Sequence, residues 1–107
     1  MIAKTPQPPY YAVIFTSIRN DGDNGYSQMG EEMEKLVVKQ PGFLGFESAR
    51  NEIGITVSYW KDLESIRKWK ENTAHIVAQE KGKKTWYENY KVRIARVERD
   101  YGLENET

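Results

Sequence analysis

Apolar and polar positions change period several times along this chain, and each change marks an element. From Tyr10 to Ile18, β-branched and aromatic residues run without a breaker and predict a strand. Arg19-Asn20-Asp21-Gly22-Asp23-Asn24-Gly25 carries turn chemistry and predicts a loop. Ser27 suits a helix N-cap, with Glu31 and Glu32 following in the first turns, where the helix dipole favours anions. Met29, Met33, Leu36 and Val37 then recur at helical spacing as one apolar stripe, and Pro41-Gly42 ends the helix. Phe43 to Arg50 and Ile53 to Trp60 read as an antiparallel hairpin turning at Asn51-Glu52. Asp62 caps a second helix with Leu63, Ile66 and Trp69 facing inward. Asn72-Thr73 interrupts it, and a further segment runs from about Ala74 to Lys84, with Ile76 or Val77 and Ala78 on its inner side. Trp86-Tyr87 lead into a last strand, Tyr90 to Glu98.

The order β-α-β-β-α-β predicts a ferredoxin-like α+β domain, one antiparallel sheet with its helices on one face. Such a sheet should alternate apolar and polar residues. The first strand does not: Tyr11, Val13 and Phe15 share one face, and Ala12, Ile14 and Ile18 the other. In the third strand Ile53, Ile55, Val57 and Tyr59 oppose Thr56, Ser58 and Trp60. Helices cover only one side, and a bare apolar sheet face is a sticky patch. A second copy packed sheet to sheet is the simplest cover, so a homodimer is expected.

Composition narrows the partners. The 107 residues suit one domain, and 16 basic against 16 acidic residues give no basic excess for nucleic acid. Without cysteine there is no disulfide, thiolate nucleophile or cysteine metal site. Residues 1–9 carry three prolines and no apolar run, an extended arm rather than a signal peptide, and no segment is suited to span a membrane. A cytoplasmic protein is expected, with a domain over 10–101 and a polar, disordered tail over 102–107. Asp21-Gly22-Asp23-Asn24-Gly25 lacks the terminal bidentate Glu of a calcium loop and reads as an acidic turn, so no metal site is expected.

The candidate chemistry gathers at one strand-to-helix junction. Trp69 follows Trp60 by nine residues, and His75, the single histidine, follows six later. Two indoles and one titratable ring in such a place line small-molecule pockets, and they also fill ordinary cores.

Pro41-Gly42-Phe43-Leu44-Gly45-Phe46, Tyr59-Trp60-Lys61-Asp62 and the ending Trp86-Tyr87-Glu88-Asn89-Tyr90-Lys91-Val92-Arg93-Ile94-Ala95 resemble the antibiotic biosynthesis monooxygenase domain of the dimeric α/β-barrel superfamily. The resemblance spans roughly Tyr10 to Tyr101. It implies a dimeric α/β barrel, a pocket between helices and sheet, and oxygenation of a small aromatic or hydrophobic molecule without flavin, metal or other cofactor. That chemistry needs a base and a donor for the substrate anion. His75 is the plausible base, Trp60, Trp69 and Trp86 could line the cavity, and Tyr59 and Arg93 could donate hydrogen bonds. Plainer roles stand beside these: His75 as cap or surface residue, Trp69 as core, Trp86-Tyr87 packed at the barrel rim, Arg93 solvated or salt-bridged. A non-catalytic binding protein is the alternative. Heme degradation is a further one, but Gln79 stands where that branch has its ligand histidine, and the first strand lacks its asparagine; only Trp69 matches.

Overall fold

The computed structural model describes residues 1–79 and 83–103, with side chains described except at 75–79 and 83–84. The elements are β1 (Tyr10–Arg19), α1 (Tyr26–Val37), β2 (Phe43–Arg50), β3 (Gly54–Trp60), α2 (Leu63–Gln79), the single turn α3 (Lys83–Trp86) and β4 (Tyr87–Val97). The strands form one antiparallel sheet in the order β2-β3-β1-β4. This is the ferredoxin-like β-α-β-β-α-β arrangement, with α3 as a small addition. Among the described residues, no helix is long and apolar enough to cross a membrane.

The helix starts differ from expectation in one case. Ser27 does not cap α1: Gly25 occupies the N-cap with a left-handed φ of 85°, and the Asp23 carboxylate accepts from the Ser27 N–H and hydroxyl. Asp62 does cap α2, accepting from the Ser65 N–H at 2.8 Å and its hydroxyl at 2.7 Å. The expected break at Asn72-Thr73 is absent and α2 is continuous to Gln79. Thr73 turns its hydroxyl back to the Lys70 carbonyl at 3.0 Å, a bond made within the helix rather than against it. Leu63, expected inward, is 55% exposed. The inner positions proposed at Ile76, Val77 and Ala78 lie outside the described side chains, as does residue 104 onward of the tail.

Register assigns the two sheet faces. Val37 of α1 and Ile66 of α2 close over Trp60, joined by Tyr11, Val13, Phe43 and Trp69, so odd-numbered β1 residues face the helices. The opposite face carries Ala12, Ile14, Thr16 and Ile18 from β1, Ile55, Val57 and Tyr59 from β3, and Lys91, Arg93 and Ala95 from β4. No described helix lies on it, and Ile18 and Ile55 stand 40% and 43% exposed. The N-terminal arm crosses one end of this face, where the Ala3 N–H donates to Glu47 at 2.9 Å.

Candidate functional site

The helix-side face is built in four cross-strand rows. The first is Phe43–Trp60–Tyr11–Arg96, then Phe46–Ser58–Val13–Ile94, then Ser48–Thr56–Phe15–Val92, and last Arg50–Gly54–Ser17–Tyr90. The helices close over the first row, and Val13 of the second packs against the same cluster. Trp60 is fully buried, edge-on to Phe43 and tilted against Trp69 at ring distances of 5.3 and 6.1 Å, and its indole N–H donates to Ser58 Oγ at 2.9 Å. The second and third rows are apolar along β1 and β4, yet Val92 and Ile94 remain 46% and 53% exposed. Their polar members are the hydroxyls of Ser48, Thr56 and Ser58. The result is a half-exposed apolar strip, a shallow trough open to solvent along edge strand β4, with half-buried Trp69 beside its covered first row.

The last row ends the trough in positive charge. Gly54 has no side chain, and a Cβ there would lie 2.1 Å from the Arg50 guanidinium carbon. Arg50 therefore lies flat across β3 and reaches buried Ser17, donating to its hydroxyl at 2.5 Å and its carbonyl at 3.5 Å. Beyond it, Arg19 donates to the carbonyls of Trp86 at 3.1 Å and Gly22 at 3.0 Å, with its guanidinium 3.5 Å above the Tyr26 ring. The described ion pairs involve Arg67 and Arg96, not these two. Phe15 meets Tyr87 at 5.4 Å and Tyr90 at 5.5 Å between ring centres. Burial pushes the Tyr87 phenol up, reinforced by the Tyr26 phenol and opposed by the charges of Arg50 and Arg19.

The residues singled out in the sequence are distributed, not gathered. Trp60 and Trp69 share the covered end of the trough. Trp86 lies at the opposite end of β1, buried, with its indole N–H on the Asn24 carbonyl at 2.9 Å; it staples the β1–α1 loop. Tyr59 and Arg93 belong to the helix-free face, Arg93 opposite Ile14. The backbone of His75 continues α2 six residues after Trp69, about 240° further round the helix axis; its side chain lies outside the described residues. Arg50, Arg19 and Ser17 escaped the sequence reading. Gly54 was the available signal, since a glycine inside a strand marks a bulge or a close approach.

Tyr59 lies in a second concavity, a hollow of about 290 Å³ at one end of the helix-free face, lined also by Thr5, Tyr10, Glu47, Asp100 and Tyr101. Its phenol donates to Glu47 at 2.6 Å, and burial together with that carboxylate pushes it up to about 12. The same bond and the Ala3 N–H hold Glu47 below the usual carboxylate range. Tyr10 donates to Asp100 at 2.5 Å and accepts from Thr5 at 3.0 Å, and burial raises it as well. Glu47 holds Ala3, and Tyr10 links Thr5 to Asp100, so the hollow ties both termini to the sheet.

A family model described as antibiotic biosynthesis monooxygenase matches residues 9–81. The uncharacterized protein YqjZ of Bacillus subtilis (strain 168) is 51% identical over 100 residues, 92% of this chain and 88% of that protein. Among solved structures, SnoaB, a cofactor-independent oxygenase from Streptomyces nogalater, aligns with a TM-score of 0.64 at 10% identity, covering 90% of this chain and 98% of that one. A protein of unknown function from Nitrosomonas europaea aligns at 0.63 and 13% identity, covering 91% and 95%. At such identities the solved structures share the fold.

Proposed function

The chain belongs to the antibiotic biosynthesis monooxygenase family, and from that premise we propose that it takes a small aromatic or hydrophobic molecule into the trough and oxygenates it without a cofactor. The observation that carries this reading is the half-open pair of central rows. Val92 and Ile94 face the helix layer and stay 46% and 53% exposed, an apolar floor left unfilled by the chain's own helices. Trp69 forms the wall at the covered end. This reading needs a base for the substrate's proton, and the candidate to test is His75, the single histidine, whose imidazole class titrates near neutrality and whose backbone lies about 240° round α2 from Trp69. The substrate anion then gives its electrons to dioxygen on this apolar floor, one oxygen atom entering the substrate and the other leaving as water. Tyr59, Arg93 and Trp86, which lie elsewhere in the fold, have no part in it.

The working unit of this proposal is a homodimer. Ile14, Ile18, Ile55, Val57 and Ala95 form the patch that a second copy would cover, and a stable pair should bury at least roughly 1,200 Å² in total.

A second reading, binding without turnover, is favoured by one observation. The described polar groups of the two central rows are hydroxyls, which position ligands but move no proton near neutral pH. Dioxygen uptake with a panel of electron-rich phenols, run beside a binding assay on the same compounds, separates the two. Uptake that is lost in His75→Ala while binding persists supports the enzyme. Binding without uptake supports the carrier, and no binding at all defeats both.

A further inference from the structure

We propose that the ligand of the trough is an aromatic carboxylate and that Arg50 receives its charged end at the Gly54–Ser17 row. The inference rests on the trough being the ligand site and adds the class of ligand. The trough is polarised along its length: indoles and Phe43 lie at one end, and two guanidinium groups stand at the other.

Arg50 is seated rather than loose. The missing side chain of Gly54 makes the channel it lies in, and Ser17, 1% exposed, accepts two of its N–H groups through hydroxyl and carbonyl. A guanidinium has five donors, so three remain to meet a ligand. Arg19 is held in the same manner by two carbonyls and the Tyr26 ring. Asp23, which feels the charge of Arg19, is engaged with Ser27.

Both cations are thus positioned by neutral groups, and their charge is not cancelled by contact with a described carboxylate. Half-buried Phe15 and Tyr87 border the trough beside these cations, and Arg50 stays open to solvent there, so an incoming anion can reach it. A planar carboxylate matches the guanidinium fork with two parallel hydrogen bonds, which a lysine or a hydroxyl would not supply. The row before Arg50 places Phe15 one step away along β1, where an aromatic ring attached to that carboxylate would rest. The ring of the ligand and its acid then meet matching surfaces in consecutive rows.

The test compares 2-naphthoate with its neutral isostere 2-naphthamide, titrated calorimetrically against the full chain. Naphthoate should bind about ten-fold tighter or more, the worth of a charge-assisted pair, and the advantage should shrink with added salt. Arg50→Gln should bring the ratio of the two affinities to near one. Gly54→Ala keeps every charge but drives the guanidinium from its channel, and should cut the ratio several-fold; it decides the matter if Arg50→Gln fails to fold. A ratio near one in the unmodified protein, or a ratio unchanged in both variants, overturns the carboxylate inference alone. Failure of both probes to bind would sink the trough reading, and this inference with it.

Discussion

Replacing Trp60 by Ala removes the largest side chain that the fold buries completely. A buried indole hides up to about 250 Å², of which roughly 200 Å² is lost beyond the alanine. At about 25 cal/mol per Å² that amounts to about 5 kcal/mol. The edge contact with Phe43, at 5.3 Å and 72°, and the hydrogen bond to Ser58 add to it, each about 1 kcal/mol. Relaxation works the other way. Trp69 sits half-buried 6.1 Å from the deleted ring and can settle into the space. The net expectation is about 4 kcal/mol, inside the range for Trp→Ala in cores. A domain of this size holds about 5–15 kcal/mol in all, so the variant should be folded but marginal. Trp69→Ala, removing a half-exposed ring, should cost about half as much. Urea denaturation followed by far-ultraviolet circular dichroism gives both numbers, provided the slope m is unchanged. A cost below about 2 kcal/mol for Trp60→Ala, or a larger cost for Trp69→Ala, would refute the assignment of Trp60 as the centre of the core and Trp69 as the wall of the trough.

Tyr59 offers a pH test: its folded value, about 12, lies above the ordinary 10, so its contribution is complete below pH 10 and is lost as pH rises through 12. Stability should therefore fall over that window, and Tyr59→Phe should flatten the fall; an identical alkaline slope in denaturation curves would contradict the shift. Gly42 has φ 84°, and a Cβ there would meet Ser65 Oγ at 2.1 Å, beside the cap of α2. Gly42→Ala should cost about 2 kcal/mol or more in thermal or chemical denaturation, and a neutral result would show that the turn relaxes freely. Ile55→Asp should convert a dimer to a monomer in light scattering, whereas an unmodified chain that already scatters as a monomer would rule out the sheet-to-sheet pair.

Strand alternation carried most of the fold. Ile14, Ile18, Ile55 and Val57 fall on the helix-free face, as their spacing indicates. The same alternation puts Tyr59 and Trp60 on opposite faces, so the two cannot line one cavity. Arg93 shares the face of Tyr59. The continuity of α2 was hidden because a lone Asn-Thr pair costs a helix only about a kcal/mol, which an already nucleated helix absorbs. Trp86 looked like a pocket residue because a tryptophan's identity does not disclose the carbonyl its N–H will find. Arg50 was invisible for a different reason. Its seat exists only where Gly54 and Ser17, 37 positions apart in sequence, become neighbours across β3 and β1.

The sheet order β2-β3-β1-β4 also sets a sequence of events for the chain as it is made. The hairpin of β2 and β3 and its pairing to β1 can form while the C-terminal third is still being synthesised. Through that interval β1 keeps one bare edge, with unpaired backbone groups beside an apolar strand, a template for pairing with another nascent copy. Only β4 closes it, and the last contact, Tyr10 with Asp100, joins positions 90 apart. A ribosome that stalls before β4 would release an open-edged sheet, so truncation near the C-terminus should be answered by aggregation or proteolysis rather than by a smaller working protein.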